Sequence, residues 1–194
     1  MPNSIRYILS LDLSLCHTGW ALYDRAGGQF TYGVFEPPKE VTEDLARMEY
    51  MLEEVIGLLP GTPAVWPQTV FVVIEGLAFS GRGSYALQLA GLGYLLRREF
   101  RNAGIAYREV APTQAKKFLS GRGNVDKNII LKEVLKRYKI DVDDDNIADA
   151  INFNFIGRTL LGWKAADNQV QQSVIEALNA GPKPKKGEKK SKAA

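Results

Sequence analysis

The sequence contains one cysteine and one histidine among 194 residues. A single cysteine, Cys16, excludes an internal disulfide and is typical of proteins that work in a reducing compartment. With one histidine and one cysteine, His17 and Cys16, a zinc site of ordinary composition is also excluded. Any bound metal would therefore be held by oxygen ligands, which favours magnesium or manganese.

Long apolar segments are also missing. No stretch of the sequence approaches the run of roughly eighteen apolar residues that a membrane span requires. Residues 1–6 lack the basic and then apolar pattern of a secretory signal peptide. We therefore expect a cytoplasmic protein that does not contact a membrane.

Net charge is small, +3, but it is unevenly distributed. Residues 82–139 carry 13 lysines and arginines against 4 acidic residues, whereas residues 1–81 and 140–180 are acidic. This pattern indicates a polyanion held beside carboxylates, although solvated basic helix faces would give the same composition. We expect one domain over residues 1–180, followed by a disordered lysine-rich tail over 181–194.

Periodicity predicts an α/β domain. Short apolar strands joined by tight turns predict an antiparallel meander at the start, and a continuous apolar run predicts a central strand covered on both faces. A loop is expected at residues 65–68. The strands are predicted at residues 7–11, 19–23, 30–35, 69–75 and 106–110. Helices are predicted at about 42–59, 84–103, 146–161 and 165–180. Between the second and third of these, one helix is predicted to start at about residue 111 and another to end at about residue 138.

Acidic side chains end two of the predicted strands. Asp12 follows the first strand and Glu75 ends the fourth, while Asp149 lies in the first turn of a helix that opens at Asn146. Asn146 and Asp149 share one face of that helix, and Asp145 lies four residues before Asp149. If the first and fourth strands are neighbours, their carboxylates meet at one sheet end, where like charges need a cation between them.

Such carboxylates are the machinery of phosphodiester hydrolysis when they bridge two divalent ions roughly 4 Å apart. Each residue also has a simpler interpretation. Asp12 is a common turn former, and Asp149 is a favourable charge in a first helical turn. Asn146 is a common helix N-cap.

Four segments resemble the RuvC-type Holliday junction resolvases, which have the RNase H-like fold of the retroviral integrase superfamily. Residues 11–20, LDLSLCHTGW, resemble the family's opening Asp-Pro-Gly…Thr-Gly-Tyr motif, and residues 73–75 resemble its second-carboxylate strand. Residues 112–127 resemble its lysine-bearing segment with Gly-x-Gly, and residues 148–150 resemble its closing Ala-Asp-Ala. Together these matches span about residues 5 to 160.

The resemblance implies an RNase H-like domain with a five-stranded mixed sheet flanked by helices. It implies an endonuclease that cuts four-way or other branched DNA with two Mg²⁺ ions per active site, with Mn²⁺ as a substitute. The implied catalytic residues are Asp12, Glu75, Asp149 and Lys127. The implied metal ligands are Asp12, Glu75 and Asp149. Asn146 or Asp145 would be a further ligand, or the site would rely on the three carboxylates alone. The implied DNA-binding residues are Phe79, Arg82, Lys116, Lys117, Arg122 and Lys127.

Three departures from the family pattern are visible. Asn146 stands where the family usually has an acidic residue or histidine; an amide oxygen ligates magnesium but is not a base. Leu13-Ser14 replaces Pro-Gly after the first carboxylate. Phe79, which resembles the aromatic residue that wedges into the junction, lies one residue further from Glu75 than in the bacterial enzyme. The divergence indicates a distant or phage-type member, which would act in the host cytoplasm.

A symmetric cut across a junction needs two active sites, so we expect a C2 homodimer. The small residues and leucines of helix 84–103 are the expected interface. Two alternatives remain open: a debranching nuclease that cuts flaps, forks and Y-structures, and a non-catalytic junction-binding protein, which Asn146 favours. His17, beside Asp12, is expected to have a structural or peripheral role.

Overall fold

The computed structural model describes residues 4–77 and 83–181, with the side chain of Lys127 left out. Five strands form one mixed sheet in the order β3-β2-β1-β4-β5. The first three are antiparallel neighbours, whereas β1, β4 and β5 run parallel. The predicted meander and central strand are therefore confirmed. The strands are β1 (Tyr7–Asp12), β2 (Thr18–Asp24), β3 (Gln29–Phe35), β4 (Val70–Glu75) and β5 (Ala106–Val110).

Helices cover both faces of this sheet. The helices are α1 (Asp44–Gly57), α2 (Trp66–Thr69), α3 (Ser84–Asn102), α4 (Pro112–Ser120), α5 (Lys127–Tyr138), α6 (Asp145–Leu160) and α7 (Gln169–Asn179). In the part of the chain that the structure describes, no helix is long and apolar enough to cross a membrane.

The loop predicted at residues 65–68 is wrong, because α2 lies there. Pro67 occupies the first turn of α2, where its missing N–H removes no helical hydrogen bond. Trp66 Nε1 donates to the carbonyl oxygen of Pro60 at 3.1 Å, which fixes the short helix against the preceding turn. Proline therefore starts a helix here rather than interrupting one.

Strand β4 divides the core into two layers. Val72 and Ile74 pack with α1 and α3 on one face, whereas Phe71 and Val73 pack with α4, α6 and α7 on the other. Successive side chains of a strand point to opposite faces, so a central strand covered on both sides must be apolar throughout. This alternation also determines where the residues at the strand ends point.

Helix α6 is fixed on the sheet by buried polar groups. Asn154 Nδ2 donates to the carbonyl oxygens of Ile8 and Ala21 at 3.0 and 3.1 Å. Ser10 Oγ donates to the carbonyl oxygen of Ala150 at 2.8 Å. Gly157 lets the helix approach closely, since a Cβ there would lie 2.8 Å from Val73 Cγ2. These contacts set the position of α6 along β1, and with it the position of Asp149.

Candidate active site

Asp12 and Glu75 are brought together by the register of two parallel strands. Leu11 pairs with Ile74, so Asp12 and Glu75 are the next residues on neighbouring strands. Leu11 and Ile74 face the α1 and α3 layer. By alternation, Asp12 and Glu75 face the opposite layer, which contains α4 and α6.

The turn after Asp12 is closed by hydroxyl side chains. Ser14 Oγ accepts hydrogen bonds from the backbone N–H groups of Cys16 and His17, both at 3.2 Å. Thr18 Oγ1 donates to the Ser14 carbonyl oxygen at 2.6 Å, and the Ser14 N–H donates to Thr18 Oγ1 at 3.1 Å. Serine and threonine side chains replace backbone turn contacts in this way. They close the turn where Leu13-Ser14 replaces Pro-Gly.

The start of α6 is capped by Asp144 rather than by Asn146. Asp144 Oδ1 accepts hydrogen bonds from the N–H groups of Asn146 and Ile147 at 2.8 and 3.0 Å. A carboxylate at this position satisfies two of the open helix donors and interacts favourably with the helix dipole. The interpretation of Asn146 as the N-cap is therefore wrong, because α6 begins one residue earlier, at Asp145.

The first turn of α6 lies directly against β2. The Cα of Gly19 faces the backbone of Asn146 so closely that a Cβ at Gly19 would lie 2.1 Å from the Asn146 carbonyl oxygen. It would also lie 3.0 Å from the Cβ of Asn146. Gly19 is the strand partner of Asp12, so Asn146 lies beside Asp12. Asp145, Asn146 and Asp149 are all partly buried.

The pKa of Glu75 is raised by its surroundings. Its burial raises the pKa, the nearby negative charge of Asp149 raises it further, and the pKa of Glu75 reaches about 7. Lys116 and Arg97 act in the opposite direction and lower the pKa. Glu75 and Asp149 are thus close enough to repel, as two carboxylates that share one site do.

The donor chemistry of this cluster fits a divalent cation. Asp12, Glu75 and Asp149 offer only hard oxygen ligands, which magnesium and manganese prefer. A cation would also relieve the repulsion that raises the pKa of Glu75. Over residues 4–77 and 83–181, however, no three Asp, Glu, His or Cys side chains converge closely enough to hold one ion. Binding therefore requires these carboxylates to turn toward the ion.

The predicted DNA-binding residues differ in their positions. Lys116 is partly buried on α4 and acts on Glu75, whereas Lys117 and Arg122 are exposed. Lys127 is the first residue of α5. Phe79 and Arg82 lie outside the described residues.

A cleft of about 850 Å³ opens beside Glu75. Its walls are largely apolar, with Leu13 and Leu77 near the strand ends and Tyr85 and Leu87 on the first turn of α3. Tyr85 Oη lies 3.4 Å from Ser14 Oγ, so the tyrosine bridges α3 and the turn after Asp12. Glu75 therefore lies at the edge of a cleft between the strand ends and α3.

His17 takes no part in this cluster. Its side chain is exposed, and Nε2 lies 3.6 Å from Glu36 Oε1. The predicted peripheral role of His17 agrees with this position.

Sequence reasoning missed Arg97, which lies directly behind Glu75. Arg97 is buried on α3, and its Nη2 donates to the carbonyl oxygen of Glu75 at 2.8 Å. The signal was present in the sequence: Gly93, Leu96, Arg97 and Phe100 share one apolar helical face, and an arginine there needs buried partners.

Comparison with known proteins identifies the family. No family model matches the sequence. A crossover junction endodeoxyribonuclease RuvC from a Bradyrhizobium strain is 30% identical over 152 residues, which cover 74% of this chain and 81% of the relative. The chain belongs to the RuvC family. A RuvC from Hyphomonas neptunium is 29% identical to this RuvC-family chain over 131 residues, which cover 66% of the chain and 74% of the relative.

Solved structures show the same fold for this RuvC-family chain. The structure of Thermus thermophilus RuvC matches with a TM-score of 0.59 and 15% identity, covering 80% of this chain and 96% of that chain. A structure of T. thermophilus RuvC in complex with a Holliday junction substrate matches with a TM-score of 0.56 and 14% identity, covering 77% of this chain and 90% of that chain. The expected RNase H-like fold with a five-stranded mixed sheet is confirmed.

Proposed function

We propose that this RuvC-family protein is a Holliday junction resolvase that hydrolyses DNA phosphodiester bonds with two divalent metal ions, Mg²⁺ by preference. The observation that carries the proposal is the adjacency of Asp12 and Glu75 at one sheet end, with Asp149 acting on Glu75 from α6. Asp12 and Glu75 are adjacent on parallel strands, and Asp149 is close enough to raise the pKa of Glu75. This arrangement is unfavourable without a cation and suits a metal-dependent nuclease.

Asp12, Glu75 and Asp149 would hold the ions, with the amide oxygen of Asn146 as a further ligand. When bound, such ions supply an activated water and stabilise the leaving oxygen. The residues of the chain orient this chemistry. The close contact between Gly19 and Asn146 keeps α6, and therefore Asp149, against the end of β1. The neutral side chain of Asn146 adds no repulsion to the carboxylate cluster.

Basic residues would bind the sugar–phosphate backbone. Lys116 lies in the electrostatic field of Glu75, which supports its proposed contact with a phosphate near the reacting bond. Lys117 and Arg122 are exposed on the same segment and would contact phosphates further away. The role of Lys127 in steadying transition-state charge rests on the family resemblance and on its place at the start of α5.

We further propose a C2 homodimer, because paired cuts require two active sites. Only some of the α3 residues that were expected at the interface lie at the surface. Leu92 and Leu96 are buried in the core, and Gly93 packs against Leu77, so this face of the helix is not at the surface. The exposed apolar residues are Tyr85, Leu87 and Tyr94, which are 51%, 76% and 58% exposed. A Leu87→Asp substitution should convert the dimer to a monomer in sedimentation experiments, and an unchanged mass would contradict this interface.

The test of function is cleavage of an end-labelled synthetic four-way junction in Mg²⁺ by the wild type, Asp12→Asn and Glu75→Gln. We expect paired symmetric nicks by the wild type. Both variants should lose at least about 1,000-fold in rate, since the ions lose a ligand, while they still bind the junction. Glu53→Gln, at an exposed carboxylate on α1, is the matched control and should cut at nearly the wild-type rate.

Each alternative predicts a different result in the same assay. Equal or faster cutting of flaps, forks and Y-structures would identify a debranching nuclease rather than a junction resolvase. Tight junction binding without nicks in Mg²⁺ or Mn²⁺ would identify a non-catalytic binding protein, and Asn146 would then be the first residue to substitute.

A further inference from the structure

Arg97 has a charged side chain in the protein interior, where an unpaired charge is energetically unfavourable. Its side chain is 7% exposed, on the face of α3 that packs against the sheet. It makes three hydrogen bonds of 2.8 Å: Nη2 to the carbonyl oxygen of Glu75, Nη1 to the carbonyl oxygen of Gly93, and Nε to Glu109 Oε1. A buried guanidinium is tolerated only when it is paired in this way. The three acceptors lie at the end of β4, on α3 and on β5.

One of these acceptors belongs to the last peptide group of β4. The carbonyl oxygen of Glu75 receives Arg97, and the N–H of the same peptide group, from Gly76, donates to the Val110 carbonyl oxygen at 2.8 Å. Both polar ends of the Glu75–Gly76 peptide are therefore held. Because the peptide is planar, these two bonds fix the backbone of Glu75 and the direction in which its side chain leaves the strand.

The local sequence makes space for this contact. A Cβ at Gly93 would lie 2.8 Å from Arg97 Nη1 and 2.6 Å from Leu77 Cδ2. Glu109, on β5, is the strand partner of Ile74, so it reaches Arg97 from the neighbouring strand. Its side chain is 46% exposed, so it neutralises the guanidinium from the solvent side.

We propose that Arg97 is a positioning residue for the carboxylate of Glu75. By holding the last peptide of β4, it keeps that carboxylate aimed at the site shared with Asp12 and Asp149. The inference rests on the proposed function, since it assigns Glu75 to a metal ion. Groups that orient metal ligands from behind change metal affinity or activity by about 10–100-fold when they are removed.

The experiment compares Arg97→Met, Arg97→Lys, Glu109→Gln and Leu96→Ala with the wild type. Mn²⁺ binding is measured by calorimetry without DNA, and junction cleavage is measured as a function of Mg²⁺ concentration. Arg97→Met should raise the Mn²⁺ dissociation constant and the Mg²⁺ half-saturation point by about 10-fold or more. Arg97→Lys keeps the charge but lacks the planar fork of donors, so it should give a smaller rise.

The controls separate positioning from general stability. Leu96→Ala removes a neighbouring core side chain, so it should lower the melting temperature without changing metal binding. Glu109→Gln leaves both carbonyl contacts of Arg97 in place and should change half-saturation by less than about 3-fold. Because Arg97→Lys retains a charge opposite Glu109, it should fold even if Arg97→Met does not.

Wild-type Mn²⁺ affinity in a folded Arg97→Met, or in Arg97→Lys if only that variant folds, would overturn the inference. Glu75→Gln distinguishes this failure from failure of the proposed function. If the wild type binds no Mn²⁺, or if Glu75→Gln binds it as tightly as the wild type, the metal site itself is wrong and the role of Arg97 falls with it.

Discussion

The backbone carbonyl of Asn146 packs against the Cα of Gly19, so that a Cβ on Gly19 would lie 2.1 Å from the carbonyl oxygen. Real Cβ atoms do not approach an atom so closely. Gly19 pairs with Asp12, and Asn146 lies in the first turn of the helix that carries Asp149. The absence of a side chain at one position of β2 therefore sets the separation between two carboxylates of the proposed active site.

Gly19→Ala should push the start of α6 away from the sheet. The neighbouring atoms are backbone and cannot rotate aside, so we expect a loss of about 3 kcal/mol in the free energy of unfolding. Misplacement of Asp149 should lower junction cleavage by at least about 100-fold. Gly57→Ala is the matched control, because a Cβ there meets nothing within 4 Å. Urea unfolding and cleavage rates measure both effects, and wild-type values for Gly19→Ala would contradict the close contact.

The pKa of Glu75 predicts a pH-dependent stability. Its pKa is about 7 in the folded protein against an ordinary value of 4.5, so at intermediate pH the folded state holds a proton that the unfolded state has released. The stability contributed by this group is full below about pH 4.5 and is lost as the pH rises through 7. In EDTA, the melting temperature of the wild type should fall between about pH 5 and pH 8 relative to Glu75→Gln.

Magnesium should reverse this trend, because a cation favours the ionised form of Glu75. At saturating Mg²⁺ the difference in melting temperature between the wild type and Glu75→Gln should change sign near neutral pH. Parallel melting curves for the two proteins in EDTA would show that Glu75 is not the titrating group.

The position of Asn146 beside Asp12 predicts the effect of restoring a carboxylate there. Asn146→Asp adds a charged oxygen ligand, so Mg²⁺ half-saturation for cleavage should fall several-fold. Because it also adds repulsion near Asp12 and Asp149, the melting temperature in EDTA should fall. Asp145→Asn is the matched variant at the adjacent position and should change half-saturation by less than about 2-fold. If Asp145→Asn raises the half-saturation point and Asn146→Asp leaves it unchanged, Asp145 is the ligand.

The strands and the carboxylates at their ends were predictable from simple periodicities, whereas the five-stranded mixed sheet was what the family resemblance implied. The apolar run of β4 indicated a central strand, and Asp12 and Glu75 ended strands that run parallel. Once β1 and β4 are neighbours, parallel register alone brings their ends together. The catalytic and metal-binding roles of these residues stay predictions.

The contacts that hold the carboxylates in place were not predictable from local sequence. Arg97 reaches Glu75 only because α3 crosses behind β4 and because β5 brings Glu109 to the same point. Such a contact depends on how three consecutive elements, β4, α3 and β5, pack against one another, which the local sequence does not specify. Likewise, the acidic run before α6 offers several residues able to cap a helix, so the choice of Asp144 depended on where the helix packs on the sheet.

The cap at Asp144 leads to a further prediction, because its side chain holds the first turn of α6. Its Oδ1 holds the N–H groups of Asn146 and Ile147, so Asp144→Ala should cost about 1 kcal/mol of unfolding free energy. Loosening this turn also loosens the attachment of Asp149, so cleavage at limiting Mg²⁺ should fall more than cleavage at saturating Mg²⁺. Asp143→Ala removes an exposed acidic residue next to the cap and should change neither quantity measurably. Equal losses in the two variants would mean that net charge, rather than the cap, sets the stability of this turn.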